Sequence, residues 1–314
     1  MQGYALAALA ANLAARFTRI PTAMLVCSPI ELYYRCREIN PAPDKPYRAH
    51  EMLALQALAR ANAMLGKRYF VLSEHLAEVV RGHGTKNSVD VVPIYGVDTY
   101  LFAPPSEPKA TLKARAGLPA SGSLIFFSSR IAPEKDAGTL LAAVASLLAR
   151  GRDLWLLHRS GGYRELIREA ERFGVASRVI ATDAVHPHHE LVDDYQASDL
   201  CVQASREVGL GFSPLEAMSC QVPVVAAAVG GLKETVMDGC TGWTYPVGNS
   251  EALASRVEEV LDNPHKARRR AAAGREMVCR RYDRRVVFDQ LERLITDDRL
   301  RPSTARCSMS DSRA

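Results

Sequence analysis

The sequence predicts an α/β protein whose strands form parallel sheets in two successive blocks. Three observations carry that reading. Short, continuously apolar runs alternate with helical patterns, as strands buried on both faces do. Helix-forming stretches separate consecutive runs, which is the connection that parallel strands need. A proline-containing stretch, YGVDTYLFAPPSEPKA, loses periodicity between the two blocks and reads as a linker. At 314 residues the chain is long enough for two hydrophobic cores.

The elements follow in order. A helix is predicted near residues 4–17, then a strand in TAMLVCS, a helix in HEMLALQALARANAML and a strand in YFVLS. A helix in EHLAEVVRGHG and a strand in VDVVPI complete the first block. Past the linker, the apolar runs LIFFSS, LWLLH, RVI, LCVQAS, PVVAAA and WTYPV recur between about 123 and 262. Amphipathic stretches such as AGTLLAAVASLLAR and YRELIREAERFG lie between them. Two further helical patterns follow, an arginine-rich one and RVVFDQLERLI, and the polar tail RPSTARCSMSDSRA is predicted to be disordered. The expected division is a first domain over 1–105, a second over 106–280, a C-terminal helix over 281–300 and a tail over 301–314.

Composition sets limits. The apolar and charged fractions, 47% and 24%, are ordinary for a globular protein, and the net charge is a mild +5. Basic residues concentrate in HKARRRAAAGREMVCRRYDRR (265–285), which reads as a solvated helix face or as a contact for anionic lipid headgroups. Nothing in it has the aromatic interleaving of a nucleic-acid platform, so no nucleic-acid partner is expected. Seven cysteines without C-x-x-C pairing argue for a reducing compartment. HPHH at 186–189 lacks carboxylate or cysteine partners at ligand spacing, so no metal is expected there. The opening MQGYALAALAANLAARF lacks a basic start and is interrupted by Asn12 and Arg16, so it reads as a packed helix, not a membrane span. A cytoplasmic protein is expected, soluble or peripheral at the inner face of the membrane.

The segment REVGLGFSPLEAM (206–218) is the most pointed local signal. Ser213 suits an N-cap, Pro214 the first helical position, and Glu216 the reciprocal place in a capping box. Glycines just before a sharp helix start also let a ligand approach unpaired amides, and such an end attracts anions. The loop follows the strand LCVQAS, and parallel sheets bind ligands beyond the carboxyl ends of their strands.

Four stretches, in order, resemble a known family. PIYGVDTYLFAPP is similar to the hinge approach of retaining glycosyltransferases of family 4. SSRIAPEKDAGTLLAA, LLHRSGGYREL and SREVGLGFSPLEAMSCQVPVVAAAVGGLKETV resemble the C-terminal half of those enzymes, and the likeness runs from about 69 to 262. It implies the GT-B fold of two Rossmann-type domains, the N-terminal one incomplete. It further implies transfer of a sugar, with retention, from a UDP-, GDP- or ADP-sugar donor to a hydroxyl of a cell-surface polysaccharide or lipid-linked glycan. By resemblance, Arg130 and Lys135 stabilise the charge that builds on the leaving phosphate. Gly209, Leu210, Gly211 and Phe212, with the helix start at Ser213, hold the remaining phosphate oxygens. Glu216 matches the second glutamate of the family's E-x7-E motif and would take the ribose hydroxyls. No separate cofactor is implied; the absence of Asp-x-Asp fits cationic side chains in place of a divalent metal.

The sequence departs from the family at several points. Val208 stands where the motif's first glutamate belongs, leaving the adjacent Glu207 as the candidate carboxylate for the donor sugar. Gln221 and Ser129 replace glycines, and Cys27-Ser28 occupy the place of a histidine. The first block holds fewer βα units than a full domain of this fold, which suggests a start upstream of Met1 or dependence on a partner. Two other readings therefore stand beside transfer: a nucleotide-sugar-binding subunit without turnover, and a nucleotide-sugar epimerase on the same plan.

Overall fold

The computed structural model describes residues 6–18, 20, 22–41, 46–182 and 188–296. Every apolar run becomes a strand, and every pairing between strands is parallel. The first sheet holds β1 (Met24–Val26), β2 (Arg68–Val71) and β3 (Ser88–Val91) in that spatial order. The second holds β4 (Ser123–Phe126), β5 (Leu154–His158), β6 (Val179–Ala181), β7 (Leu200–Gln203), β8 (Val224–Ala227) and β9 (Trp243–Tyr245). Its order is β6-β5-β4-β7-β8-β9, so the direction of winding reverses between β4 and β7. That reversal opens a crevice at the carboxyl ends of those two strands.

Thirteen helices are present among the described residues. Around the first sheet lie α1 (Leu6–Thr18), α2 (Ile30–Ile39), α3 (Ala49–Leu65) and α4 (Glu74–Gly82). After the linker come α5 (Lys109–Arg115), α6 (Ala137–Ala149), α7 (Tyr163–Arg172), α8 (Leu191–Ala197), α9 (Phe212–Ser219), α10 (Leu232–Thr235), α11 (Ser250–Asp262) and α12 (Pro264–Arg281). Last is α13 (Arg284–Thr296). None of the described helices is long and apolar enough to cross a membrane.

Alternation along β4 shows how the six-stranded sheet is covered on both faces. Ile125 and Phe127 join one core with Leu140 and Val144 of α6, Leu166 of α7 and Val257 of α11. Leu124 and Phe126 join another with Tyr195 of α8, Leu215 of α9 and Val278 of α12. This second core continues into the first sheet through Leu210, Val208, Cys27 and Leu76, so one apolar cluster links the two sheets. The opposite face of the first sheet is covered by the C-terminal helix: Phe70 and Val92 pack against Val287, Leu291 and Leu294 of α13. The chain thus crosses between sheets twice, at the linker and before α13. The crossings are stitched together by Val97 N–H to Tyr282 O at 2.7 Å and Arg284 N–H to Val97 O at 2.9 Å. A Cβ on Gly96 would meet the Arg284 backbone at 2.6 Å, so the close approach requires glycine.

The arginine-rich stretch divides its residues. Arg270 turns inward, over the Trp243 ring at 4.1 Å and bonded to the Gly242 carbonyl at 3.0 Å. Arg275 bonds the Ser219 carbonyl, whereas Arg268, Arg269, Arg280 and Arg281 are exposed. The family's glycine position held by Gln221 has a physical counterpart, since Gln221 adopts φ 57°, in the left-handed region. A non-glycine residue there costs about 1–2 kcal/mol. Gln221→Gly is therefore expected to raise stability by about 1 kcal/mol, or roughly 2 °C in melting temperature; calorimetry showing no gain would contradict this reading of the turn.

Candidate functional site

The crevice at the β4/β7 reversal is a cleft of about 380 Å³ between the two sheets. Its walls come from the carboxyl ends of strands on both sides: Cys27 and Ser28 after β1, Leu72 after β2 and Tyr95 after β3, with Tyr33 from α2. From the second sheet come Ser128, Ser129 and Arg130 after β4, Lys135 just before α6, and Gln203 at the end of β7. Val208 and the run Gly209–Ser213 form the rest. Among the described residues, the lining therefore includes two cationic side chains and no carboxylate.

The two cations differ. Arg130 is 66% exposed and pairs with Glu134 at 2.7 Å, a carboxylate only 7% exposed. Lys135 ends the short 3-10 turn Pro133–Lys135 and forms no ion pair or side-chain hydrogen bond among the described residues. Burial lowers its pKa from the ordinary lysine value; Glu134 opposes the shift and Arg130 adds to it. An ammonium held partly out of water without a partner favours an anionic ligand.

The loop before α9 is held from several sides. The Arg206 amide donates to the Glu134 carbonyl at 2.8 Å, and the Arg206 guanidinium meets Asp136 at 2.8 Å, tying this loop to the Lys135 turn. A Cβ on Gly209 would lie 2.4 Å from the Cys27 carbonyl oxygen, and one on Gly231 would lie 2.3 Å from the Gly209 oxygen. Backbone thus passes backbone at a distance that only glycine permits. Gly211 adopts φ 94° and stands at the N-cap of α9, which begins at Phe212. Leu210 and Gly211 direct no amide to a backbone acceptor, and the first amides of α9 have none within the helix.

Two sequence expectations need correction here. Ser213 is not the cap, because the helix starts two residues earlier than expected, at Phe212 with Gly211 as its cap, and the Ser213 hydroxyl donates to the Ser128 carbonyl at 2.7 Å. That bond clamps the start of α9 to the end of β4. Glu216, with no Ser213 cap to reciprocate, does not close a capping box. It is 7% exposed, accepts from the Tyr195 hydroxyl at 2.8 Å and does not line the cleft. Burial and the Glu216 carboxylate together push the Tyr195 hydroxyl well above its ordinary pKa.

Glu207 is not among the residues that line the cleft, but its charge is felt by Lys135 and Tyr33, which are. Its Oε1 meets His75 Nε2 at 2.9 Å and accepts from the Val208 amide at 3.1 Å. Glu234 takes the amides of Glu74 and His75 at 3.0 and 2.8 Å, and the Ser73 hydroxyl donates to the Gly209 carbonyl. The N-terminus of α4 is thereby latched onto the second sheet's loops. Sequence reading singled out neither His75, Tyr33 nor Tyr95. The carboxyl-end rule, applied to the first sheet as well as the second, would have pointed to the residues after β1, β2 and β3. The histidine motif at 186–189 falls largely outside the described residues. Among the described residues no disulfide forms, and no group of three His, Cys, Asp or Glu side chains is placed to hold a metal ion.

The hydrogen bond that His75 donates to Glu207 raises the His75 pKa above 6.5, against an opposing effect of burial. A raised folded-state value means that the latch contributes fully below 6.5 and weakens as pH climbs through the raised value. Urea unfolding between about pH 6 and 8 should show wild-type stability falling relative to a His75→Gln variant. Parallel profiles would contradict the latch.

Residues 108–277 match the family described as glycosyl transferases group 1. The GDP-mannose-dependent alpha-(1-6)-phosphatidylinositol monomannoside mannosyltransferase of Mycolicibacterium smegmatis is 33% identical over 212 residues, 65% of this chain and 55% of that protein. The 2-deoxystreptamine glucosyltransferase of Streptomyces kanamyceticus is 31% identical over 283 residues, 89% of this chain and 71% of that protein. The chain spans about half the length of several of the curated relatives it matches. Among solved structures, sucrose-phosphate synthase from Thermosynechococcus elongatus superposes with a TM-score of 0.77 at 23% identity, covering 91% of this chain and 71% of that one. Anabaena Alr3699/HepE, solved with UDP and glucose, gives 0.75 at 20% identity, covering 92% and 75%. These neighbours show that the α/β architecture is that of GT-B proteins. With more than half of the sequence matched and the fold in agreement, the chain belongs to the glycosyl transferases group 1 family.

Proposed function

We propose that this protein is a retaining glycosyltransferase of family 4, which moves a sugar from a nucleotide diphosphate to an acceptor hydroxyl. One observation carries the proposal: a cleft with two cations, no lining carboxylate, and a lysine whose ammonium has no ion-pair partner among the described residues. The donor's diphosphate is dianionic or more and matches that deficit. Lys135 and Arg130 take its oxygens, helped by the amides of Leu210, Gly211, Phe212 and Ser213 and by the positive end of α9.

Transfer breaks the bond between the sugar's anomeric carbon and the phosphate oxygen, and the electron pair leaves on the diphosphate. The acceptor oxygen bonds the same carbon and gives up its proton. Among the described residues no carboxylate or imidazole lines the cleft, so the departing phosphate oxygen is the base at hand. The fixed cations act where this charge develops, and so lower the barrier to departure.

A UDP-, GDP- or ADP-sugar is proposed as donor, without a metal, and the mycobacterial relative named for GDP-mannose favours the guanine series. That relative's name also supports a lipid-linked glycan as acceptor. A cytoplasmic place, peripheral at the inner membrane face through the exposed arginines of α12, completes the proposal. A second reading, a donor-binding subunit without turnover, is favoured by Val208 and by the pairing of Glu207 with His75. Release of nucleoside diphosphate on mixing donor and acceptor separates the two.

A nucleotide sugar held at a hundred times its dissociation constant should stabilise the fold by about 2.7 kcal/mol, read as a rise of several degrees in melting temperature. Lys135→Ala or Arg130→Ala should weaken binding about 10- to 100-fold, the range expected for a lost charge-assisted bond. Failure of UDP-, GDP- and ADP-sugars alike to shift the transition would contradict the proposal.

A further inference from the structure

The start of α4 grips the second sheet's loops through Ser73, Glu74 and His75. The Ser73 hydroxyl donates to the Gly209 carbonyl, and the two carboxylate oxygens of Glu234, on α10, take the amides of Glu74 and His75 at 3.0 and 2.8 Å. The third grip is the His75 ring, whose Nε2 meets Glu207 Oε1 at 2.9 Å. The first two rest on backbone groups whose charge does not change near neutral pH. Only the imidazole gains or loses a proton there.

What His75 holds leads directly into the cleft. Glu207 Oε1 also accepts from the Val208 amide at 3.1 Å, so the carboxylate is joined to the backbone that enters the run Gly209–Ser213. That run lines the cleft and presents the amides at the start of α9. The same loop is fixed on its other side by Arg206, whose amide donates to the Glu134 carbonyl and whose guanidinium meets Asp136, each at 2.8 Å. An arginine keeps its charge at any ordinary pH. The loop is therefore anchored by one permanent cation and one that titrates.

The surroundings of His75 favour its charged form. Its hydrogen bond to Glu207 and the charges of Glu207, Glu234 and, on its own helix, Glu78 raise the ring's pKa, while burial opposes them. A protonated ring makes an ion pair with Glu207. A neutral ring can keep the Nε2–H bond but loses the attraction between charges.

We infer that His75 is a positioning residue for the donor: its protonated ring, acting through Glu207, holds the run Gly209–Ser213 in the form that receives the diphosphate, so donor affinity falls as pH rises through the neutral range. The inference rests on the nucleotide-sugar reading of the cleft. His75 does not line the cleft and is assigned no contact with the ligand, and neither is Glu207. Because the folded-state pKa is raised, the contact is at full strength below 6.5 and is lost as pH climbs through the raised value. Linkage makes the effect reciprocal, so a bound donor raises the His75 pKa further.

The test is titration calorimetry on the full chain with UDP-glucose, GDP-mannose and ADP-glucose at about pH 6 and about pH 8. The diphosphate diester and the bases of these donors ionise outside that window, so a change in affinity belongs to the protein. For a donor that binds, the dissociation constant should be about fivefold or more larger at the higher pH. The His75 resonance, followed by NMR, should titrate at a higher pH once that donor saturates the protein. His75→Gln should flatten the affinity profile. Glu207→Gln, which keeps a hydrogen-bond acceptor and removes the charge, should flatten it too, and it carries the test with the wild-type NMR titration if His75→Gln does not fold. Equal affinities at the two pH values, or a pH dependence that survives in the folded variants, overturn the inference and leave the nucleotide site standing. If none of the donors binds at either pH, the nucleotide-sugar reading falls and this inference falls with it.

Discussion

The site depends on a lysine that has no ion-pair partner among the described residues. Lys135 lies partly out of water at the mouth of a crevice whose lining contains no carboxylate, and burial lowers its pKa. Glu134, the acid that acts most strongly on it, pairs with Arg130 at 2.7 Å. An unpaired, partly desolvated charge is costly to a fold, and such strain collects where a ligand is to relieve it. The surrounding contacts keep it in place. The Pro133–Lys135 turn is fixed to the loop before α9 by the Arg206–Glu134 and Arg206–Asp136 contacts. Asp136 itself, at φ 49°, caps α6 through Thr139.

Assembly of the cleft also depends on both sheets being held together. The glycine contacts at 209 and 231 bring backbones within a distance closed to any side chain, and α4 is latched by Ser73, His75 and Glu234. The same His75 contact that latches the sheets also fixes Glu207 next to Val208, which lines the cleft. On the far side, α13 covers the first sheet with Val287, Leu291 and Leu294, so the second crossing of the chain contributes to the core of the first sheet.

Much of the fold was legible because parallel strands buried on both faces read as unbroken apolar runs, and all nine became strands. The position of the cleft followed from the same logic, since Arg130, Lys135 and the run Gly209–Ser213 lie beyond β4 and β7. What escaped was local detail set by tertiary contact. Ser213 carried every mark of a cap, yet its hydroxyl is drawn to the Ser128 carbonyl and Gly211 supplies the turn. Glu216, which the resemblance assigns to the ribose hydroxyls, accepts from the Tyr195 hydroxyl, a contact with no mark in the local sequence pattern. His75 gave no signal, because its partner Glu207 lies 132 positions away. The short helices α2 and α5 were missed because seven to ten residues with mixed polarity hold too little periodicity to read.

The most direct measurement is the pKa of the Lys135 ammonium, followed by NMR with selectively labelled lysine, first in the ligand-free protein and then with a saturating nucleoside diphosphate. The account predicts a value depressed below the ordinary 10.5 in the free protein, rising when the diphosphate neutralises the cleft. A Lys135 that titrates like a solvent-exposed lysine, or that ignores the nucleotide, would contradict it.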